Sequence, residues 1–386
     1  MFAVTIGVIG VLAFAATAWI YSTAVPRPIH GDGKGYYVYQ PALFLDHDPT
    51  LVRTAERSFG GNPVNIPGVT WARTSVPVGQ PDQYQWLDQY GVGEAVMIAP
   101  FFAVGEVVAK VMGQPQDGFS WPYQAAASTA GTLYMLLGLA LTAGVLKRWF
   151  SRRTVVLTLI AMTFGAAVFE YGSYETTMSH AYSFCVVALI VWLTLRVWER
   201  PRILSAAALG AALGLLALVR ATNLMLVVFC LLVGVERRND LLRRVRSLLG
   251  HLDLVSVGAG VFLLVLMPQA AYWYRITRAL LVDPYREQGQ YLDLFHPHLE
   301  GVLFSVSKGL FFWTPLLILA VAGLPLLLRT ARTVFVSAVV YLAVAVWVVA
   351  SWSIWSYGYS FGMRALIDEL PVFALGLAAL IETVRV

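Results

Sequence analysis

Apolar segments long enough to cross a lipid bilayer recur along the whole chain. A crossing helix needs about 20 residues, because each residue adds about 1.5 Å to its length. The clear candidates are residues 2–21, 122–146, 154–171, 181–197, 253–271, 309–328, 333–350 and 370–384. This pattern predicts a polytopic membrane protein built from helices.

The stretch 203–235 needs a separate interpretation because it is apolar on both sides of Arg220. One straight helix of that length would be too long and would bury Arg220 in the middle of the membrane. A charge in that position costs several kcal/mol. We therefore expect two short helices with Arg220 at the turn between them, which brings the total to about ten spans.

The basic residues predict how these spans are oriented. Clusters of arginine and lysine lie at 147–153, 196–202, 237–246 and 329–332. Cytoplasmic loops carry the excess of Lys and Arg, so these clusters are expected on one side of the membrane. They share one side only if the apolar region 94–113 does not cross. Region 94–113 is therefore expected to be an interfacial amphipathic helix. We expect the N-terminal run to be a retained helix rather than a cleaved signal peptide, with both termini cytoplasmic.

Three long segments then lie outside, within a single transmembrane domain over 1–386. They are the first outer loop 22–121, the second outer loop 272–308 and the third outer loop 351–369. The first holds two amphipathic pieces, 41–57 and 94–113, that are expected to lie on the membrane. Long loops often carry function, so the chemistry is expected on the outer side.

Composition agrees with a membrane protein and excludes other classes. Hydrophobic residues make up 58% of the chain and charged residues 13%, against about 45–50% and 25% in soluble domains. This excludes a soluble enzyme, a disordered chain and a disulfide scaffold. Cys185 and Cys230 both lie in apolar runs, which argues against a disulfide framework or a zinc site. The net charge of +5 follows from the basic inner loops, so we expect no nucleic-acid partner.

Asp32 is the first candidate for chemistry. It lies in the segment His30-Gly31-Asp32-Gly33-Lys34-Gly35-Tyr36-Tyr37, directly after the first span. A carboxylate at the membrane surface is suited to take a proton from a hydroxyl nucleophile. The alternative is a turn aspartate that caps the next segment.

Other polar groups on the outer side also have two interpretations each. Asp46-His47-Asp48 looks like a metal cluster, but Asp48 before Pro49 is equally a turn residue. His180 stands at a helix start that favours an anion, or it simply follows Ser179 as an N-cap. The cations Arg220, Lys308 and Arg364 are either interfacial side chains or a joint phosphate site. The aromatic residues of the third loop are either a membrane belt or surfaces for stacking a sugar or lipid: Trp352, Trp355, Tyr357 and Tyr359.

Taken together, these blocks resemble the membrane glycosyltransferases of the GT-C superfamily, which include protein O-mannosyltransferases and the lipid A aminoarabinose transferase. The resemblance rests on the order and sidedness of blocks along nearly the whole chain. They are the acidic residue after the first span, Tyr90-Gly91-Val92-Gly93, Ser179-His180-Ala181-Tyr182-Ser183-Phe184, Val219-Arg220-Ala221-Thr222-Asn223, Lys308 to Pro315, and Ser360 to Arg364. One departure is the stretch Leu87-Asp88-Gln89-Tyr90-Gly91, which lacks the lysine of the aminoarabinose transferase.

The resemblance implies an inverting transfer of a sugar from a polyprenyl-phosphate donor to an acceptor hydroxyl. Asp32 would be the general base, and the donor phosphate would be bound by Lys34, Arg220, Arg364 and His180. The remaining substrate contacts would come from Tyr36, Tyr37, Glu175, Lys308, Trp352, Trp355 and Tyr357. The acceptor would be a glycolipid, a polysaccharide or a protein, and membrane lipids would surround the chain. No cofactor is required, although a divalent metal is compatible. The site would face the outside of a bacterial plasma membrane.

Three other classes remain open from the sequence. A lipid or sugar transporter fits the number of spans and the outer cations. A polysaccharide polymerase or ligase also uses polyprenyl donors, although its large outer loop typically comes later in the chain. A structural or assembly protein would use the aromatic loops as a docking surface. No nucleotide-binding loop occurs in a suitable context.

Overall fold

The computed structural model describes residues 1–23, 27–74, 81 and 83–384. Within these residues most of the chain is α-helical, and two short strands form a hairpin. The prediction of a helical membrane protein is therefore confirmed in outline. The structure is consistent with the predicted all-α class, and the hairpin is an addition that lies within the predicted first outer loop. Arg385, which the sequence placed on the inner side, lies outside the described residues.

The first part of the chain contains one long helix followed by short elements. They are α1 Phe2–Thr23, α2 Gly33–Tyr37, α3 Tyr39–Phe44, α4 Val52–Ser58, β1 Val69–Thr74, β2 Gln83–Asp88 and α5 Gly93–Val111. The strands are antiparallel, with Val69 opposite Asp88, and the rings of Trp71 and Trp86 stack at 4.0 Å.

The predicted amphipathic piece 41–57 is not one helix. It is divided between α3 and α4 because the residue before a proline is disfavoured in the helical conformation, and Asp48 precedes Pro49. The Asp48 carboxylate instead accepts hydrogen bonds from the backbone N–H groups of Thr50 at 2.9 Å and Arg53 at 3.0 Å. The second piece, 94–113, is helical as predicted and corresponds to α5.

The middle of the chain forms the largest helices. They are α6 Trp121–Leu146, α7 Arg152–Gly165, α8 Val168–Ser173, α9 Ser179–Glu199, α10 Ile203–Val219, α11 Val227–Leu232, α12 Arg238–Gly250 and α13 Leu252–Thr277. The expected turn at Arg220 is present, since Arg220 is extended (φ −152°) between α10 and a 3-10 turn that leads into α11. The predicted span 154–171 is interrupted, because Ala166 after α7 is also extended.

The last part of the chain contains shorter helices. They are α14 Leu299–Phe304, α15 Leu310–Trp313, α16 Leu316–Gly323, α17 Leu327–Thr330, α18 Phe335–Ala350 and α19 Leu370–Val384. The predicted span 309–328 is therefore not one continuous α-helix. Pro315 immediately precedes α16, and Pro325 lies in a 3-10 turn between α16 and α17. A proline has no N–H to donate, so it favours a helix start, although α5 and α13 contain Pro100 and Pro268 in their interiors.

Within the described residues, five helices are long and apolar enough to cross a membrane. They are α1, α6, α9, α13 and the helix Arg332–Ala350, which contains α18. Four shorter apolar helices accompany them: Ile203–Val219, Ala221–Leu232, Leu316–Thr330 and Leu370–Val384. Helix α9 is central, because 72% of its most apolar 18-residue stretch is buried. In α13 only 6% of the most apolar 18-residue stretch is buried. The exposed apolar surface of α13 suits contact with lipid.

Contacts between loops separate into two groups at opposite ends of the long helices. The predicted outer loops contact one another, and Asp293 N donates to Ser351 O at 2.7 Å. The predicted inner loops do the same, where Gly234 N donates to Thr333 O at 2.7 Å and Arg332 pairs with Glu236 at 2.9 Å. The loops assigned to each side by charge are thus neighbours in space.

Candidate functional site

Asp32 lies at the start of α2, where two glycines let the chain approach its neighbours. A side chain at Gly33 would collide with Thr177, and one at Gly35 would collide with Tyr90 and the carbonyl of Pro67. Asp32 Oδ2 forms an ion pair with Arg364 Nη1 at 3.0 Å. The Asp32 side chain is 34% exposed and that of Arg364 is 15% exposed. The sequence candidates from the first and third outer loops therefore meet.

Asp368 is the centre of a second, buried cluster beside this pair. Its Oδ1 is 3.0 Å from His180 Nδ1, and its Oδ2 is 3.1 Å from Arg220 Nε. Asn223 Nδ2 donates to the same Oδ2 at 2.6 Å and contacts Ser183 Oγ at 2.8 Å. Burial alone would raise the pKa of Asp368. The nearby His180 and Arg220 and the hydrogen bonds outweigh burial, and hold this pKa below its ordinary value.

Tyr36 connects the two clusters. Its hydroxyl accepts a hydrogen bond from Ser179 Oγ at 3.2 Å, and Ser179 Oγ is 3.5 Å from Arg220 Nη1. Its ring packs on Tyr90 with centroids 4.1 Å apart. Tyr36 follows Asp32 by four residues, so both side chains lie on the same face of the short helix. Burial raises the pKa of Tyr36, and Arg220 and Asp32 are close enough to act on it with opposite signs.

Two tyrosines from later loops face the same cations. Burial raises the pKa of Tyr285 to about 12, while Arg220 opposes the rise and Asp32 adds to it. Burial also raises the pKa of Tyr357, with Arg220 and Arg364 opposing it. The Tyr357 hydroxyl donates to Val349 O at 3.2 Å. Both phenols remain protonated near neutral pH and are able to donate a hydrogen bond to an anion.

Lys308 adds a third cation to this region. Its Nζ contacts Ser360 Oγ at 2.9 Å and also the Ser360 carbonyl oxygen. Burial lowers its pKa, and the positive charge of Arg364 lowers it further. Arg220, Arg364 and Lys308 thus come from three separate segments of the chain.

Three other predicted site residues each contact a residue of an outer loop. Glu175 forms an ion pair with His30 at 3.2 Å. The Trp352 ring packs edge to face on the Tyr285 ring, with centroids 5.3 Å apart. The centroids of the Trp355 and His298 rings are 6.3 Å apart.

The structure separates Lys34 and Tyr37 from the cluster. Lys34 Nζ lies 5.9 Å from the centre of the Phe59 ring. The Tyr37 hydroxyl donates to Gly118 O at 2.7 Å, and its ring packs with Phe102 in the main core. The reason is helical geometry. Residues two apart in a helix point about 200° apart, so Asp32 and Lys34 face different surroundings.

Two fully buried members of the site were missed by sequence reasoning. Asp368 and Asn223 lie within segments that the sequence singled out, but neither was assigned a role. One signal was available for Asp368, because a charged residue between apolar runs at a membrane face is costly unless it is paired. No comparable signal marks Tyr285, which reaches the site only through the path of the second outer loop.

The Asp46-His47-Asp48 segment does not converge on one point. Asp46 pairs with Arg57 at 2.7 Å, and Asp48 accepts hydrogen bonds from the backbone N–H groups of Thr50 and Arg53. His47 Nδ1 lies 3.0 Å from Leu43 O. Among the described residues, no group of three or more His, Cys, Asp or Glu side chains is arranged to hold a metal ion.

The arrangement combines one partly exposed carboxylate with three nearby cations and several phenols. It is suited to accept a proton and to bind an anionic group such as a phosphate at neighbouring positions. Compared with protein-family models, with curated proteins and with solved structures, the chain matches none of them.

Proposed function

We propose that this protein is an inverting glycosyltransferase that moves a sugar from a polyprenyl-phosphate donor to an acceptor hydroxyl at the outer face of a membrane. The observation that carries the proposal is the pairing of Asp32 with Arg364 at 3.0 Å beside Arg220 and Lys308. A transferase of this kind needs a base and a phosphate site next to each other. The similarity of the sequence blocks to the GT-C superfamily supports the same choice.

Asp32 is better suited than Asp368 to act as the base. Asp368 is fully buried and its two oxygens contact His180, Arg220 and Asn223. Asp32 is 34% exposed and pairs with Arg364. A general base must reach the proton that it removes, so the accessible carboxylate takes this role.

In the proposed reaction the acceptor oxygen attacks the anomeric carbon of the donor sugar. Asp32 takes the proton of the acceptor hydroxyl as the new carbon–oxygen bond forms. The bond between the anomeric carbon and the phosphate oxygen breaks, and the polyprenyl phosphate leaves with the electron pair. Arg220 and Arg364 stabilise the negative charge that develops on this leaving group.

The ion pair between Asp32 and Arg364 implies that the two residues act in a fixed order, with Arg364 binding the donor before Asp32 acts as the base. Without donor, Arg364 Nη1 is paired with Asp32 Oδ2 and occupies this carboxylate. A donor phosphate competes for Arg364 through charge-assisted hydrogen bonds. Asp32 is thereby released as a base only when the donor is bound, whereas Asp368 continues to hold Arg220 in position.

The proposed topology has ten spans with both termini inside. The five long apolar helices supply half of these crossings, and the shorter apolar helices together with α7 supply the others. The donor would reach Asp32 from the lipid phase, since its polyprenyl chain is apolar. A bacterial plasma membrane with the site on its outer face fits the basic inner loops.

The test is a transfer assay with the purified full chain in liposomes. A panel of radiolabelled polyprenyl-phosphate sugars serves as donors and a membrane extract supplies acceptors, with and without chelator. We expect Asp32→Asn to lower the rate by about 10²–10⁴-fold, the usual contribution of a general base. Asp283→Asn is the matched control, because Asp283 is an exposed aspartate of the second outer loop.

Transfer by the wild type and by Asp283→Asn, but not by Asp32→Asn, would support the proposal. Equal transfer by all three proteins would remove Asp32 from the mechanism. Binding of donor lipid without transfer, with acceptor supplied, would favour a transporter or a docking protein instead.

A further inference from the structure

Helix α12 has an apolar stripe that nothing in the described chain covers. Leu241, Leu242, Val245 and Leu249 follow one side of this helix and are 45–62% exposed. None of the residues of α12 is buried. The helix lies between the apolar helices Ala221–Leu232 and Leu252–Thr277. The apolar stripe of α12 therefore lies between the end of one apolar helix and the beginning of the next.

Helix α12 and the residues beside it are also strongly basic. Arg237, Arg238, Arg243, Arg244 and Arg246 lie in or beside it. The two nearby acidic residues are already paired, Asp240 with Arg243 and Glu236 with Arg332. An apolar stripe with an excess of arginine is typical of a helix that lies on an anionic membrane surface.

Behind α12 is a cavity of about 620 Å³ at the same end of the molecule. Arg148 and Arg244 line it together with Trp149, Trp198 and Glu199. The Arg244 guanidinium lies 3.4 Å from the centre of the Trp198 ring and donates to Val233 O. Arg244 Nε is buried and has no hydrogen-bond partner among the described residues. Arg148 pairs with Glu199, which is 61% exposed.

We propose that this cavity binds the headgroup phosphate of an anionic phospholipid, with α12 lying in the membrane surface beside it. Arg148 and Arg244 line the cavity and supply positive charge, and the phosphate would compete with the exposed Glu199 for Arg148. The apolar stripe of α12 supplies a surface for the lipid chains. The site lies at the opposite end of the molecule from Asp32, so it does not depend on the proposed function.

The experiment uses the full chain in nanodiscs of phosphatidylcholine, alone or with an equal part of phosphatidylglycerol. Native mass spectrometry then counts the lipids that stay bound. We expect the wild type to retain phosphatidylglycerol and the double variant R148Q/R244Q to retain on the order of 10–30-fold less, since each arginine near a membrane surface contributes about fivefold.

The matched control is R152Q/R153Q, which removes two exposed arginines from the same end of the molecule. This control measures the loss that follows from surface charge alone, and it should retain more phosphatidylglycerol than R148Q/R244Q does, because Arg152 and Arg153 do not line the cavity. If R148Q/R244Q fails to fold, the single change Arg148→Gln decides. It leaves the contacts of Arg244 with Trp198 and Val233 in place and should lower retention about fivefold.

Three results would overturn the proposal. One is equal retention by the wild type and the cavity variant. Another is equal retention of phosphatidylcholine, which would show that the headgroup charge is not recognised. The third is displacement of the lipid by inorganic phosphate, which would identify a site for a free anion.

Discussion

Replacement of Asp368 by asparagine tests the buried cluster most directly. Asp368 is fully buried and contacts His180 at 3.0 Å, Arg220 at 3.1 Å and Asn223 at 2.6 Å. Asparagine keeps the shape of the side chain but removes its charge. The Arg220 guanidinium, only 15% exposed, would then lack a compensating carboxylate.

The neighbouring Glu369 provides a control of equal burial. Burial, with Asp368 adding to it, raises the pKa of Glu369 to about 8. At pH 7 its carboxyl is therefore mostly neutral, and the Tyr341 hydroxyl contacts it. Glu369→Gln replaces a neutral group by another of the same shape.

The two changes should differ clearly in stability. Removing one partner of a buried ion pair costs about 3–5 kcal/mol, whereas altering one neutral hydrogen bond costs about 0.5–1.5 kcal/mol. We expect Asp368→Asn to lower the thermal midpoint by roughly 5–10 °C, at about 2 °C per kcal/mol for a large chain. Glu369→Gln should lower it by about 3 °C or less by the same conversion.

Unfolding can be followed through the two cysteines that the chain already contains. Cys185 and Cys230 are both free and buried, so a thiol-reactive fluorophore reports their exposure on heating in detergent. A midpoint for Glu369→Gln as low as that for Asp368→Asn would refute the assignment of charge to these two carboxyls.

The effect of Glu369→Gln on stability also depends on pH, and the raised pKa of Glu369 sets the direction of this dependence. Between about pH 5 and pH 8 the Glu369 carboxyl is ionised in the unfolded chain and neutral in the native state. The unfolded state therefore binds fewer protons, and the wild type loses stability as pH rises through this range. Glu369→Gln removes this loss, so its midpoint should rise relative to wild type from pH 5 to pH 8.

Four further changes test the packing, the outer loops and the proposed site. Gly210→Ala should destabilise the protein by more than about 1–3 kcal/mol, because the new methyl would meet the backbone of α13. Gly260→Ala should be neutral or slightly stabilising, since no described atom lies within 4 Å of its Cβ position; thermal midpoints compare the two. The contact with Glu175 raises the pKa of His30, so the stability that this pair adds is complete below about pH 6.5 and is lost as pH rises through the raised pKa. His30→Gln should accordingly lower the midpoint at pH 6 but not at high pH. Arg364→Gln should raise the KM for the donor about tenfold or more through loss of a charge-assisted contact, and an unchanged KM would exclude a phosphate contact.

Local sequence was a good guide to the helices and a poor guide to where they are interrupted. Apolar runs correctly marked most of the long helices, because burial and lipid contact both require apolar side chains. The interruptions at Ala166 and Pro315 were missed, although proline at 315 was a visible signal for the second. The hairpin of β1 and β2 was missed because its tryptophans and polar residues resemble a loop at a membrane surface.

For the site, the sequence selected residues by type and side but not by direction. Asp32, His180, Arg220, Lys308 and Arg364 were all chosen as outer polar groups, and they do lie close together. Lys34 was chosen for the same reason, yet its side chain packs near Phe59 instead. Direction depends on the short helix α2, whose extent could not be deduced from five residues.

The sequence by itself determined that this is a helical membrane protein, because its apolar segments have the length of a bilayer and its charges are segregated between them. Only the tertiary structure decided that Asp368 holds both His180 and Arg220, and that Asp32 remains partly exposed beside Arg364. The physical reason is distance along the chain. Asp368 is separated from His180 by 188 residues, and such a contact is set by the packing of the helices between them rather than by any local pattern.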